Sequence, residues 1–250
     1  RIESADELGR PEITWIQIAI RLPDDGSGAL PLLRYVILND DKSSTYKLAL
    51  LRSVCRIADG AAGLTWTEGD EYVVVPLGLV GLYWIRLFKP LLDADLPQSP
   101  GNRGTDRLGF VKEGFRALAK PGTEVSHLDL RPGIALSGDR AKALHDALRD
   151  ACKTIQEMPA YYMTYPNGSQ IFPVRRNGRL PRPAIVILDA AYLLSFGELR
   201  VPRSLWNAMQ RFDVWIEPAL VAEWTRLMKG YGETQCRKLA DITIAQAMTW

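Results

Sequence analysis

Residues 72–92, YVVVPLGLVGLYWIRLFKPLL, form the most apolar stretch of this chain and constrain its fold more than any other feature. So greasy a segment must be buried, either in a bilayer or in a protein core. Its uncharged part ends at Ile85, because Arg86 and Lys89 interrupt the remainder. That is well short of the ~20 apolar residues a membrane-spanning helix needs. Pro76 and Pro90 frame it. The pattern therefore predicts a short strand over 72–75 entering a buried helix over 76–88, with Pro76 in the first turn, where a missing N–H costs nothing. Gly78 and Gly81 within that helix read as points of close packing. A helix apolar on all sides needs protein on all sides, so the rest of the chain must wrap it.

The flanking sequence offers that shell. Residues 13–22 and 32–38 read as strands rich in Ile, Val, Trp and Tyr, joined through the turn signal Asp24-Asp25-Gly26-Ser27-Gly28. A polar cluster over 39–44 can cap a helix over 45–59, whose Leu48, Leu51, Cys55 and Ala58 recur on one face before Gly60 and Gly63 end it. A loop over 93–105 precedes a second amphipathic helix over 106–120, with Leu108, Val111, Phe115 and Leu118 inward. Ser137 is placed to cap the clearest helix, 138–158, striped by Ala141, Leu144, Leu148, Ala151, Cys152 and Ile155. Pro166-Asn167-Gly168 marks a turn between two extended pieces, and 184–188 reads as a short buried strand. Helices over 202–212, 218–231 and 242–250 complete the chain, with Trp84, Trp215 and Trp224 expected in the core. The fold class predicted is α+β, helix-rich, with short antiparallel strands near the N-terminus and around residues 170–190. A soft boundary over 120–138 divides an N-terminal α+β lobe, 1–120, from a helical, arginine-rich lobe, 121–250.

Net charge is only +2, so bulk charge does not select a partner, but its distribution is uneven. Acids outnumber bases over 1–100, and bases outnumber acids over 101–250. The densest part, 170–211, holds Arg175, Arg176, Arg179, Arg182, Arg200, Arg203 and Arg211 against Asp189 and Glu198 alone. Arginine forks suit phosphate oxygens, and Phe172, Phe196 and Trp206 are interleaved. Basic residues with aromatics are what a nucleic-acid backbone requires. A solvated loop whose arginines pair with acids elsewhere gives the same composition. Further upstream, Lys42, Ser43, Ser44, Thr45 and Lys47 place cations and hydroxyls at a helix start, which can hold a phosphate. The plainer alternative has Ser44 capping, Tyr46 in the core and Lys47 in water.

Catalytic patterns are absent. His127 and His145 are the two histidines, and neither stands at a metal-ligand spacing. Cys55 and Cys152 lie on helix stripes, and three scattered cysteines fit a reducing cytoplasm. No phosphate-binding glycine loop and no nucleophile elbow occurs. Glu68, Asp70 and Glu71 cluster, and Asp189 follows a strand, but no lysine stands two residues after Glu68, Asp70, Glu71 or Glu198 as a magnesium-dependent nuclease site would want. The opening residues 1–10 are charged and do not resemble a secretion signal. The apolar pattern running to Trp250 leads to the expectation that the chain is part of something longer.

Two segments carry a family resemblance. Within RYVILNDDKSSTYKLALLRSVCRIAD, residues 34–59, the core SSTYKLALLRS resembles a segment upstream in bacterial HNH-endonuclease-domain proteins. VPRSLWNAMQRFDVWIEPALVAEWTRLM, residues 201–228, resembles the region preceding their nuclease module, where a Pro-x-x-Leu-Trp helix leads to a Trp-Ile-Glu-Pro helix. The pieces LYWIRLFKPLL, LPQSPGNRG and MTYPNGSQIFPV are similar to that group too. The resemblance implies a recognition or regulatory region of an endonuclease that hydrolyses DNA, in anti-phage defence. Its HNH module would hold one divalent metal, magnesium or similar, through an Asp-His pair, an Asn and a further His or Asn. This sequence has no Asp-His pair, so no catalytic or metal residue carries over and the module is expected after residue 250. DNA contacts are assigned to Lys42, Ser44, Lys47, Arg175, Arg176, Arg179, Arg182, Arg203 and Arg211. The rival expectation is a non-catalytic module that docks a partner protein through 96–104 and 161–174; a third is a small-ligand sensor.

Overall fold

The computed structural model describes residues 26–102, 107–178 and 180–249. Its centre is the apolar stretch. Strand β2 (Tyr72–Pro76) runs into helix α3 (Leu77–Asp93), whose residues are buried almost throughout. The helix continues past Pro90 for most of a further turn. Arg86 and Lys89 are buried too; Lys89 reaches the rim and pairs with Asp93 at 2.7 Å. Among the described residues no helix is long and apolar enough to cross a membrane.

The shell around α3 is helical. Helix α1 (Ala29–Leu38) and α2 (Tyr46–Gly60) come first, and β1 (Trp66–Glu68) precedes β2. After α3 come α4 (Glu113–Ala117), β3 (Ala135–Ser137), α5 (Gly138–Glu157) and α6 (Pro159–Tyr162). They are followed by β4 (Val174–Arg176), β5 (Ile185–Ile187), α7 (Ala190–Leu194), β6 (Gly197–Pro202), α8 (Arg203–Thr234) and α9 (Asp241–Met248). One antiparallel sheet has the order β1-β2-β6-β4, and β3 pairs β5 in a second. The fold is thus helix-rich α+β with short antiparallel strands. Strands from both sides of 120–138 share the larger sheet, with Val75 opposite Leu199. One apolar core runs from Ala29 to Met248.

Several expectations need correction. Residues 32–38 are helix, not strand: Ala29, Leu33, Val36 and Ile37 recur at three and four and are buried, and packing of that face against α8 overrides their β propensity. The strand expected over 13–22 lies outside the described residues. The helix expected over 106–120 shrinks to α4. Arg107 is left-handed (φ +61°), and the chain turns over 108–112 before α4 begins. Leu108, Val111, Phe115 and Leu118 are buried all the same. Ser137 makes no side-chain cap to α5. The strand over 184–188 buries Val186 but exposes Ile185 and Ile187. The two helices expected over 202–231 are one, α8, bent where Phe212 leaves helical angles (φ −121°, ψ 20°) and carrying Pro218 inside. Trp215, expected in the core, is half exposed, whereas Trp84 and Trp224 are fully buried.

Close packing at glycine is as expected for Gly78 and Gly81. A Cβ on Gly78 would sit 2.5 Å from the Leu193 carbonyl oxygen, and one on Gly81 would sit 3.0 Å from Cys152 Sγ. Helix α7 and helix α5 press against α3 at these two points.

His145, on the buried side of α5, places Nδ1 3.1 Å from the Tyr192 hydroxyl. Burial lowers its pKa below the ordinary histidine value; Asp146 opposes the shift, and Arg149 and Arg182 reinforce it. The unfolded chain therefore takes the proton more readily. The histidine's stability contribution is intact above the unfolded value of about 6.5 and is lost as pH falls through the lowered folded value. Urea unfolding at pH 7.5 and 5.5 is expected to give lower stability at 5.5, and His145→Gln is expected to shrink that difference. An unchanged difference in the variant would remove His145 as its source. His127, lowered in the same direction, supplies part of the remainder.

Candidate anion-binding cleft

Helix α2 begins at a polar junction. Thr45, fully buried, turns its side chain away from its own helix: its hydroxyl donates to Gln98 Oε1 at 2.8 Å and its N–H donates to the Gln98 carbonyl at 3.0 Å. Trp224 Nε1 donates to the same Gln98 Oε1 at 2.9 Å. Asn102 Oδ1 accepts the N–H groups of Gln98 and Ser99 at 2.6 and 2.7 Å, and Gln235 Nε2 donates to the Asn102 carbonyl at 2.6 Å. Gln98 and Asn102 thus point inward and lock the loop to α2 and α8; both are buried, as is Leu96.

Tyr46 comes next. Its ring packs on Trp84, Phe88 and Phe110, and its oxygen accepts the Gly109 N–H at 3.1 Å. Burial pushes the phenol up to about 12. The Tyr46–Gly109 bond brings the 107–112 turn against the start of α2. Between them and the end of α5 lies a cleft of about 410 Å³. Arg107, Lys112 and Lys153 line it, with the hydroxyl-bearing Ser43, Ser44 and Ser99, the acid Glu157, and Met158. Lys112 pairs with Asp150 at 3.3 Å and Lys153 with Glu157 at 3.8 Å. Arg107 has no ion pair among the described residues. Ser44 Oγ receives only a long 3.5 Å contact from the Tyr46 N–H. Exposed ion pairs of this kind are worth about 0–1 kcal/mol, so the lysines are free to turn to a ligand. The positive end of the α2 dipole adds to their field.

The charge continues along α5. Asp150 also meets Arg149 at 3.6 Å, Arg149 meets Asp146 at 2.9 Å, and Asp146 meets Arg182 at 2.8 Å. Arg176 donates to Gln156 Oε1 at 3.1 Å on the same helix. Cations outnumber acids on this face.

The fold scatters the residues singled out from sequence. Ser44 lines the cleft, and Arg182 and Arg176 stand along α5. Arg175 is exposed on edge strand β4, 4.0 Å from Glu198. Lys42 is held by the Asp40 carbonyl at 2.7 Å and lies 4.0 Å from Glu223; burial lowers its pKa. Lys47 pairs with Asp40 at 2.6 Å. Arg203 pairs with Asp70 at 3.3 Å, beyond the opposite edge of the sheet, and Arg211 lies over the Phe212 ring. Arg179 lies outside the described residues. Phe172, Phe196 and Trp206 are core residues. Sequence reasoning missed Arg107, Lys112 and Lys153. No local signal unites them, because a contact between residues 46 and 109 does.

Three of the acids weighed as metal ligands, Glu68, Asp70 and Asp189, are otherwise employed. Glu68 pairs with Arg200 at 2.7 Å, and Asp189 accepts the Tyr192 N–H at 2.7 Å to cap α7. Among the described residues no cluster of His, Cys, Asp and Glu could hold a metal ion.

Residues 26–248 match the protein family described as Domain of unknown function (DUF8808). No curated protein and no solved structure matches the chain.

Proposed function

We propose a nucleic-acid-binding role for this chain, which belongs to the DUF8808 family. One observation carries the reading: Arg107, Lys112 and Lys153, from separate segments, converge on a single open cleft beside the start of α2. Bringing like charges together opposes folding, and a phosphate is the ligand that turns the arrangement to advantage. The basic face of α5 extends the cleft into a track suited to a polymer. The resemblance to regions upstream of HNH modules adds the expectation of a DNA endonuclease acting in anti-phage defence, with divalent-metal chemistry supplied by residues other than these. The three free thiols, Cys55, Cys152 and Cys236, suit a reducing cytoplasm.

Fluorescence anisotropy of a labelled DNA oligonucleotide across a salt series is the test. Binding should weaken steeply with salt, as counterion release requires. The triple variant R107A/K112A/K153A should lower the log–log salt slope by about 2, since each phosphate contact contributes ~0.7–0.9. Binding that survives the triple variant with an unchanged slope, or no binding at low salt, would sink the proposal. Protein docking has in its favour the exposed pair Val214 and Trp215 on α8. An apolar interface of that kind would show little salt dependence.

A further inference from the structure

We infer that the nucleic acid taken by this cleft is single-stranded, with bases stacked on Tyr161 and Tyr162 and phosphates following the cationic face of α5. The inference rests on the nucleic-acid reading above and narrows it. Met158 lines the cleft and is 43% exposed. One turn further on, Tyr161 and Tyr162 are 57% and 58% exposed, with ring centroids 5.0 Å apart and planes nearly perpendicular. They do not stand on a loose loop. The Tyr162 N–H donates to the Met158 carbonyl at 3.1 Å, and Pro159, Ala160 and Met163 around them are buried. A rigid turn thus holds two large aromatic surfaces in water, three and four residues beyond Met158 of the cleft wall.

The chemistry selects the strand state. An aromatic face binds the face of an unpaired base, whatever its identity, and a duplex hides those faces. The charge track fits the same ligand. From Glu157 to Asp146, where Arg182 is anchored, α5 rises ~17 Å, with Lys153 and Arg149 between them. A strand whose bases stack at Tyr161 and Tyr162 can therefore lay successive phosphates past Lys153, Lys112 and Arg149. Arg149 and Lys112 share Asp150 as partner, so one acid restrains two cations there.

The test compares one oligonucleotide sequence as a single strand and as a duplex, by anisotropy at low salt. The single strand should bind at least tenfold more tightly. The variant Y161A/Y162A should lose roughly tenfold or more on the single strand while keeping the salt slope and the duplex affinity. Y161F/Y162F should bind as wild type. Equal affinity for the two forms, or an unaffected Y161A/Y162A, would overturn the single-strand inference and leave the cleft reading standing. Failure of both forms to bind at low salt would overturn both. Since both tyrosines are exposed, an unchanged melting temperature is expected and checks that the fold is intact.

Discussion

Replacing Glu217 by alanine is expected to lower the unfolding free energy by about 3–5 kcal/mol. The reason lies in Arg52 on α2, whose side chain is 2% exposed. Its Nε donates to Glu217 Oε1 at 2.6 Å and its Nη2 to the Met248 carbonyl at 2.9 Å, so one guanidinium joins α2, α8 and the end of α9. Arg56 approaches the same carboxylate oxygen at 3.0 Å. Burial lowers the Arg52 pKa, and Glu217 opposes that shift. An alanine would take this carboxylate away from a buried cation that a second cation approaches. The Glu217 side chain as a whole is 20% exposed, which places the expected loss toward the lower end of the range. Urea unfolding measures it, and a loss under ~1 kcal/mol, no more than an exposed pair is worth, would show that Arg52 is satisfied elsewhere. The double variant R52M/E217L should recover most of the stability, because apolar replacement of a buried pair is often close to neutral.

Trp224→Ala should cost a similar ~3–5 kcal/mol, through the cavity left by a fully buried indole. It should also weaken nucleic-acid binding, although Trp224 does not line the cleft. The indole packs edge-on to Phe88 and donates to Gln98, which holds the start of α2 through Thr45. Removing it frees the 96–102 loop, and with it the Ser99 wall of the cleft. Trp224→Phe keeps much of the volume but not the donor, so it should recover most of the stability and less of the binding. Thermal melts and anisotropy on the same preparations separate the two effects. Equal recovery of both would show that Trp224 acts through packing alone.

Much of this fold is legible in the sequence where periodicity is strong and the answer is local. The stripe of α5, the apolar entry into α3 and the Pro166-Asn167-Gly168 turn all lie where the residues say. Residues 32–38 do not, because Tyr35, Val36 and Ile37 favour a strand and only α8, far along the chain, makes a helix the better burial. The arginine-rich stretch shows the same limit for function. Neighbours in sequence are parted by the sheet, with Arg175 and Arg176 on edge strand β4 and Arg200 paired to Glu68 of the opposite edge strand, β1. The cations that do converge come from residues 107, 112 and 153. The contact that unites them is a tertiary hydrogen bond to Tyr46, which no spacing rule encodes.

The pairing of β2 with β6 sets an order of events on the ribosome. Val73 lies opposite Val201 and Val75 opposite Leu199, so the centre of the larger sheet waits for strands made at widely separate times. Gln98 likewise waits for Trp224. Closing such long loops costs entropy before any contact returns it, and folds dominated by non-local pairing form slowly. The helix after β2 is among the most apolar segments in the chain, and it packs on α2, made before it, and on α5, made after it. The side of α3 that meets α5 therefore stays uncovered until residues 138–157 have been made, and through that interval its apolar surface is open to self-association.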